Sequence, residues 1–192
     1  MAERHFERNV HDAETLRAVA HPTRSKILGL LRYEGPATAS ELARRLDDSS
    51  GSASYHLRQL ARYGFVEEDP DQPNKRDKRW RATYSITTWS RAEMSSPEGR
   101  EISDALQRRQ MLRAVDHFQR WMAQERDPRW EDSGGPSDFM LRLTPSQVAA
   151  LDDELMAVLD RYRTDPPPAE PDEPVAHISA YVQLLNFEQS PI

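Results

Sequence analysis

The stretch that decides the fold is residues 38–81, TASELARRLDDSSGSASYHLRQLARYGFVEEDPDQPNKRDKRWR. Thr38 and Glu41 have the spacing of a capping box, and an apolar stripe at helical spacing follows them. Residues 47–51, DDSSG, interrupt this stripe, and either serine of the run can cap a second helix. The pattern therefore predicts two short helices joined by a sharp turn.

The second predicted helix has different residue types on its two sides. Ala53, Leu57 and Leu60 recur at the spacing of a buried helix face, and Gly64 suits the left-handed residue that ends a helix. The other side carries small hydroxyls, a tyrosine and an arginine near the helix N-terminus, and such a surface suits the major groove of DNA. The expected base contacts are Ser52, Ser54, Tyr55 and Arg58.

A basic β-hairpin is predicted directly after this helix. Residues 65–68 can form its first strand, and residues 79–86 alternate apolar and polar side chains as a half-buried strand does. The tip between them is cationic, and cations beside a recognition helix can bind phosphates without reading sequence. Helix, turn, helix and hairpin together predict a winged helix-turn-helix. The expected phosphate contacts are Thr38, Ser40, Arg62, Lys75, Arg76, Lys78 and Arg79.

Two further segments give the chain a family resemblance. Residues 16–28, LRAVAHPTRSKIL, resemble the entry helices of ArsR-type winged-helix transcriptional regulators. Residues 52–60, SASYHLRQL, with Gly-Phe-Val at 64–66, resemble the recognition helix of that family and the start of its wing. The resemblance spans roughly residues 10–90, and it implies a dimeric DNA-binding regulator.

The charge of the chain is unevenly distributed. The 192 residues carry a net charge of −6, but residues 20–90 carry +3 and residues 91–192 carry −8. The positive part therefore coincides with the predicted DNA-facing part, as an electrostatic footprint requires. The contrast is modest, so we expect useful affinity for DNA to depend on dimerisation.

The N-terminal region is predicted to be a frayed, charged segment, residues 1–10, followed by two helices. The first helix is expected over residues 11–20. The second starts at His21-Pro22, with proline at a tolerated first-turn position, and ends near Tyr33 before Gly35-Pro36.

A long helix is predicted from Ser96-Pro97-Glu98 to about Arg126, because a capping hydroxyl, a proline and an acid begin it. At ~1.5 Å per residue it would span ~45 Å, more than a small winged domain can cover. A second subunit is the expected cover, and packing on the C-terminal part of the same chain is the alternative. The expected dimer-interface residues are Ile102, Leu106, Leu112, Val115, Phe118, Trp121 and Met122.

The C-terminal part is predicted to be a small strand–helix–strand unit. Residues 139–143 alternate as a strand, Thr144 and Gln147 form a second capping box that opens a helix to about Arg163, and residues 175–187 read as a final strand. The predicted fold is thus mainly α with small β. It comprises a winged helix-turn-helix domain (1–92), a long dimerisation helix (93–130) and a C-terminal α+β unit (131–192).

Catalytic and metal-binding chemistry has little support in the sequence. The chain has no cysteine, no Gly-x-Ser-x-Gly elbow and no glycine-rich phosphate loop. Asp116-His117 and Glu125 on the long helix match neither ligand pattern of the resembled family, and Zn²⁺ needs about four placed ligands. We therefore expect no metal, no cofactor and no enzyme activity, and His56 is read as a buried structural residue.

Taken together, the sequence predicts a dimeric, sequence-specific regulator that binds double-stranded DNA, a repressor at an inverted-repeat operator. The chain has no run of ~18 apolar residues and no signal-peptide pattern, so a cytoplasmic protein without membrane contact is expected. Two alternatives stay open. One is a winged-helix module that binds proteins. The other is a regulator that responds to a small molecule or a protein effector through a pocket between the long helix and the C-terminal unit.

Overall fold

A computed structural model describes residues 5–72, 78–130 and 133–187, with side chains from residue 7 onward. The chain divides into two compact units, Met1–Arg113 and Ala114–Ile192. Within the described part of the chain, none of the helices is both long enough and apolar enough to cross a bilayer. The elements of the first unit are, in chain order, β1 (His5–Val10), α1 (Ala13–Ala20), α2 (Pro22–Tyr33), β2 (Ala37–Thr38), α3 (Ala39–Leu46), α4 (Ser50–Arg62), β3 (Val66–Glu68), β4 (Arg79–Ala82), β5 (Tyr84–Trp89) and the start of α5 (Pro97–Ala123).

The core of the first unit lies among its helices and the base of the hairpin. The fully buried side chains come from every one of the first four helices, and Phe65 joins them from the turn after α4. Each helix thus buries one apolar stripe, which is the main stabilising contribution in a small domain. The largest of these side chains are Leu16, Ile27, Leu31, Leu42, Leu57, Leu60 and Phe65.

The wing is a three-stranded antiparallel sheet in the order β2-β4-β3. Val66 lies opposite Ala82, and Glu68 lies opposite Trp80. The hairpin prediction is confirmed, but the single strand predicted over residues 79–86 is wrong. It splits at Thr83, whose N–H donates to the Phe65 carbonyl at 3.1 Å, and the chain beyond it enters a second sheet.

That second sheet pairs β1 with β5 in parallel, from His5 opposite Tyr84 to Val10 opposite Trp89. The prediction that residues 1–10 fray is therefore wrong for 5–10. Val10 is buried, and the Arg8 guanidinium lies 4.2 Å from the centroid of the Phe65 ring. Strand β1 is therefore held partly by a cation over an aromatic ring. Because Arg8 is charged, this contact adds nothing to the hydrophobic pattern by which a strand is recognised in sequence.

Helix α5 starts as predicted, with Ser96 Oγ accepting from the Gly99 N–H at 3.0 Å, and ends at Ala123 rather than near Arg126. Its first turns pack on the core of their own unit. Leu106 is buried there, Ile102 packs against the same core, and Arg109 donates to the Ala20 carbonyl. These two apolar residues, predicted for the dimer interface, are thus covered by their own chain.

The second unit contains the end of α5, a 3-10 turn (Pro128–Trp130) and α6 (Pro145–Thr164). The predicted capping box is confirmed, since Thr144 Oγ1 accepts from the Gln147 N–H and the Gln147 side chain accepts from the Thr144 N–H. The predicted strands at 139–143 and 175–187 are wrong, because both segments lack regular secondary structure. An alternating pattern makes a strand only where another strand supplies backbone partners, and the described part of this unit supplies none.

Candidate nucleic-acid interface

Helix α4 has a serine N-cap at its start and a left-handed glycine just after its end. Ser49 is the N-cap and its Oγ accepts from the Ser52 N–H at 3.1 Å, which settles the choice between the two serines. Gly64 has φ +70°, and the Phe65 N–H donates to the Leu60 carbonyl at 2.9 Å. The predicted buried face is confirmed, so the outward face of α4 is fixed in direction.

Helix α3 meets α4 through a turn that an aspartate stabilises. The capping box of Thr38 and Glu41 is present, and the hydrogen bond from the Thr38 N–H lowers the pKa of the Glu41 carboxyl. Asp47 ends α3 in the left-handed conformation, with φ 53°. The carboxylate of Asp48 then accepts from the Ser49 N–H and from Ser52 Oγ, both at 2.7 Å, and fixes the entry to α4.

An open groove of about 550 Å³ lies between α3, α4 and the wing. Five of its lining residues were predicted to contact DNA, three of them through phosphates and two through bases. Glu41 is the one carboxylate among the described lining residues. The lining consists of Thr38, Ala39, Ser40, Glu41, Arg44, Ser54, Arg58, Lys78 and Trp80.

The cations of this groove differ in how far they are already paired. Among the described residues, Arg44 and Arg58 form no hydrogen bond or ion pair, and both side chains are exposed. Lys78 Nζ lies 2.5 Å from Glu68 Oε1 and 5.7 Å from the Trp80 ring centroid. Glu41, the one carboxylate of the groove among the described residues, accepts hydrogen bonds from Thr38 and forms no ion pair with either arginine. Two guanidinium groups in one concavity can therefore attract an anion.

Four predicted contact residues lie outside this groove. Tyr55 is exposed on α4, Ser52 donates its hydroxyl to Asp48, and Arg62 lies 5.7 Å from the Tyr63 ring centroid. Arg79 donates to the Pro36 carbonyl, so it ties the wing to the loop before α3. Lys75 and Arg76 lie outside the described residues.

Arg44 is the residue of this groove that sequence reasoning missed. It follows Ser40 by four residues, a spacing that places both on one face of α3. Ser40 was predicted as a phosphate contact, so the i, i+4 rule applied to it would have identified Arg44.

Behind the exposed face of α4 lies a pair of histidines. The prediction that His56 is buried is confirmed, since it is 9% exposed. Its ring centroid lies 4.7 Å from that of His21, and neither Nδ1 has a hydrogen-bond partner among the described residues. Burial lowers the pKa of both imidazoles, and the nearby Arg24 guanidinium lowers both further.

The remaining predicted interface residues lie on the later turns of α5. Leu112, Val115, Phe118 and Met122 are exposed. Trp121 is half-buried, stacked on Phe118 with ring centroids 5.7 Å apart and covered by the Arg126 guanidinium at 4.2 Å.

No three His, Asp or Glu side chains converge as metal ligands would within the described ranges. His117, considered on sequence grounds beside Asp116, instead shares a hydrogen bond of 2.6 Å with the Tyr181 hydroxyl.

Comparison with known proteins places the same region in a known class of domain. A family model described as a helix-turn-helix domain matches residues 19–69. A search of curated protein sequences finds no match.

Among solved structures, the chain is similar to reduced HlyU from Vibrio cholerae, with 25% identity, 50% of this chain and 83% of that chain covered, and a TM-score of 0.32. Regulator Tm0710 from Thermotoga maritima gives 16% identity, 80% and 89% coverage and a TM-score of 0.33. Lactococcus lactis ZitR in complex with DNA gives 14% identity, 73% coverage of each chain and a TM-score of 0.30. The family model and the observed elements agree, and residues 19–69 of this chain are a helix-turn-helix domain within a mainly helical, winged fold.

Proposed function

We propose that the chain is a dimeric, sequence-specific, double-stranded-DNA-binding regulator of transcription that represses from an inverted-repeat operator. The observation that carries this proposal is the groove between α3, α4 and the wing, in which Arg44, Arg58 and Lys78 converge on an open concavity. A helix-turn-helix domain with such a groove suits a polyanion whose phosphates flank a readable base edge.

The outward face of α4 is assigned to the bases. Arg58 and Ser54 lie one helical turn apart in the groove, and an unpaired guanidinium can bind the O6 and N7 atoms of guanine. Tyr55 extends the same face outside the groove. Ser52 can still accept a hydrogen bond, although its proton is directed to Asp48.

The positions around that face are assigned to the phosphates. Arg44 joins the predicted set, because it lines the groove beside Ser40. Arg79 is reassigned in part, since its bond to the Pro36 carbonyl gives it a role in holding the wing. The full phosphate set is Thr38, Ser40, Arg44, Arg62, Lys75, Arg76, Lys78 and Arg79.

Dimerisation is assigned to the exposed part of α5, where Leu112, Val115, Phe118 and Met122 form the apolar surface, with Trp121 beside it. Two copies related by a two-fold axis would present two α4 helices to successive major grooves. The operator of such a dimer is an inverted repeat. We place the protein in the cytoplasm, as a regulator that is neither a metal sensor nor an enzyme.

The test is selection of bound duplexes from a random pool by the full chain, at low and at physiological salt. An enriched inverted repeat with half-sites about one helical turn apart is expected. An enriched sequence without internal symmetry would remove the dimer from the proposal. A pool that stays random at both salt concentrations would overturn sequence-specific binding and favour the protein-interaction module.

A further inference from the structure

The second unit exposes most of its large apolar side chains. Of its described residues, 114–130 and 133–187, not one is buried. Val175 is 90% exposed, Phe139 80% and Ile178 70%. Soluble proteins normally bury residues of this size, so this surface requires cover.

The extent of the surface indicates what kind of cover it needs. Seventeen large apolar side chains of this unit are exposed. At about 150 Å² for a large side chain, with about half of it exposed, the seventeen leave on the order of 1,300 Å² uncovered per chain. A permanent interface takes ~1,000–2,500 Å² from each partner, so this area matches one.

We propose that the second unit folds only in a dimer, with a hydrophobic core shared between two copies of this chain. The inference rests on the dimer of the proposed function and adds that residues 133–187, not α5 alone, form that interface. Without apolar burial, nothing in the unit offsets the conformational entropy lost on ordering. Folding of the unit and association of the copies are therefore one event.

The spacing on α5 indicates that the partner is a second copy. Met111, Val115, Phe118 and Met122 are separated by four, three and four residues, the seam of a two-helix coiled coil. This seam begins five residues after Leu106, the last α5 residue that is buried in its own core. An equivalent helix related by a two-fold axis offers a matching seam.

Residues 139–143 and 175–187 complete the surface. Each has apolar residues at every second position, as one face of a strand does: Phe139, Leu141 and Leu143 in the first, and Ile178, Ala180, Val182 and Leu184 in the second. Neither segment is paired with another described strand. A second copy brings a second pair of such segments, so the backbone partners that one unit lacks become available across the two-fold axis.

The charge of the unit gives the dimer a distinctive salt dependence. Residues 114–192 carry six Arg against fifteen Asp and Glu, a net charge of −9. Two copies repel one another, and raising salt from ~0.1 M to ~1 M shortens the screening length from ~10 Å to ~3 Å. Dimerisation therefore strengthens with salt, whereas binding of DNA, or of a cationic partner protein to this surface, weakens.

The test combines sedimentation with hydrogen exchange on the full chain, without DNA. Ile178→Asp and Phe118→Asp each place a charge in the shared core. Ser179→Asp and Gln119→Asp add the same charge one residue away and serve as matched controls. Because burying an unpaired charge is strongly unfavourable, the first two should weaken dimerisation by at least about tenfold, and the controls by less than about threefold.

Amides of 139–143 and 175–187 should be protected in the dimer and exchange fast on dilution or in the Asp variants. Amides of α2 and α4 should stay protected throughout. A monomer in which 175–187 is protected would overturn the inference. So would a dimer that Ile178→Asp leaves intact, or one that weakens with salt. None of these readouts involves DNA, so a pool that stays random would count against the proposed function alone, whereas a chain that stays monomeric at every concentration would count against both.

Discussion

Replacing Arg58 by alanine should remove the preference for operator over random DNA while leaving the fold unchanged. The side chain is exposed on α4 and has no hydrogen bond or ion pair within the described residues, so its loss breaks no polar interaction there. Surface substitutions of this kind shift stability by no more than about 0.5 kcal/mol, and the melting temperature should hardly move.

The size of the effect follows from the two-fold arrangement. One bidentate contact from arginine to guanine discriminates by ~1–3 kcal/mol, and a dimer makes two of them. Operator binding should therefore weaken by ~2–6 kcal/mol, at least about 25-fold. Random DNA offers no matched base edge, so its affinity should fall by less than about tenfold, through the lost charge alone.

The assay is fluorescence anisotropy on the selected operator and on a random duplex of equal length, over a salt series. Arg44→Ala is the matched control, since Arg44 lines the same groove from α3. It should weaken both duplexes about equally and reduce the salt slope by ~0.9 per protomer, hence by about two per dimer. Equal losses on both duplexes for Arg58→Ala would refute its role as a base reader.

Two further predictions concern the scaffold behind this surface. His21 and His56 have pKa values lowered mainly by burial, so below about pH 6.5 the unfolded chain binds more protons than the folded one, and stability falls as pH falls through this window. Urea unfolding at about pH 7.5 and 5.5 should show this loss, and His56→Gln should reduce it; an unchanged slope would contradict a buried neutral imidazole. Gly64→Ala should destabilise by ~1–2 kcal/mol because Gly64 has φ +70°, whereas Gly29→Ala, in the interior of α2 with open space around it, should stabilise by up to ~1 kcal/mol. Thermal melts of the two variants should shift in opposite directions, and a Gly64→Ala melt equal to wild type would contradict the left-handed helix end.

The features that the sequence predicted well are local ones. The capping boxes at Thr38 and Thr144 and the left-handed Gly64 depend on residues within four positions of each other. All the interactions that form them lie within a short segment of chain, because nearby side chains satisfy the free N–H groups of a helix terminus.

The features that were missed depend on distant partners. Strand β1 pairs with β5, nearly eighty residues away, and Arg8 reaches Phe65 across 57 residues. The error at residues 175–187 is the reverse, because a strand was predicted and none forms. This segment has the sequence pattern of a strand, but no described strand pairs with it. In both cases the local sequence sets only a preference for or against the extended conformation, and pairing with a distant strand decides whether a strand forms.

The residues that line the groove were anticipated only in part, for a related reason. Ser54, Arg58 and Lys78 were identified by residue type and position, and they do meet in one groove. Arg44 was missed, and the bond from Arg79 to the Pro36 carbonyl was not foreseen, because the partners of a cation depend on neighbours distant in sequence. Residue type predicts that a side chain can bind an anion, but it does not predict whether that side chain already donates to another group of the protein.

The buried and the exposed residues of α4 have separate roles, and this separation affects how the sequence of such a protein can change in evolution. Ala53, Leu57 and Leu60 hold the helix in place, and Ser49 starts it, while Ser54, Tyr55 and Arg58 contribute nothing to the core. Outward positions can therefore be exchanged one at a time, at little risk to folding. Under the proposed function, a lineage built on this scaffold would acquire new target sequences by substitutions at these three positions, and a designer could transplant a different specificity onto it in the same way.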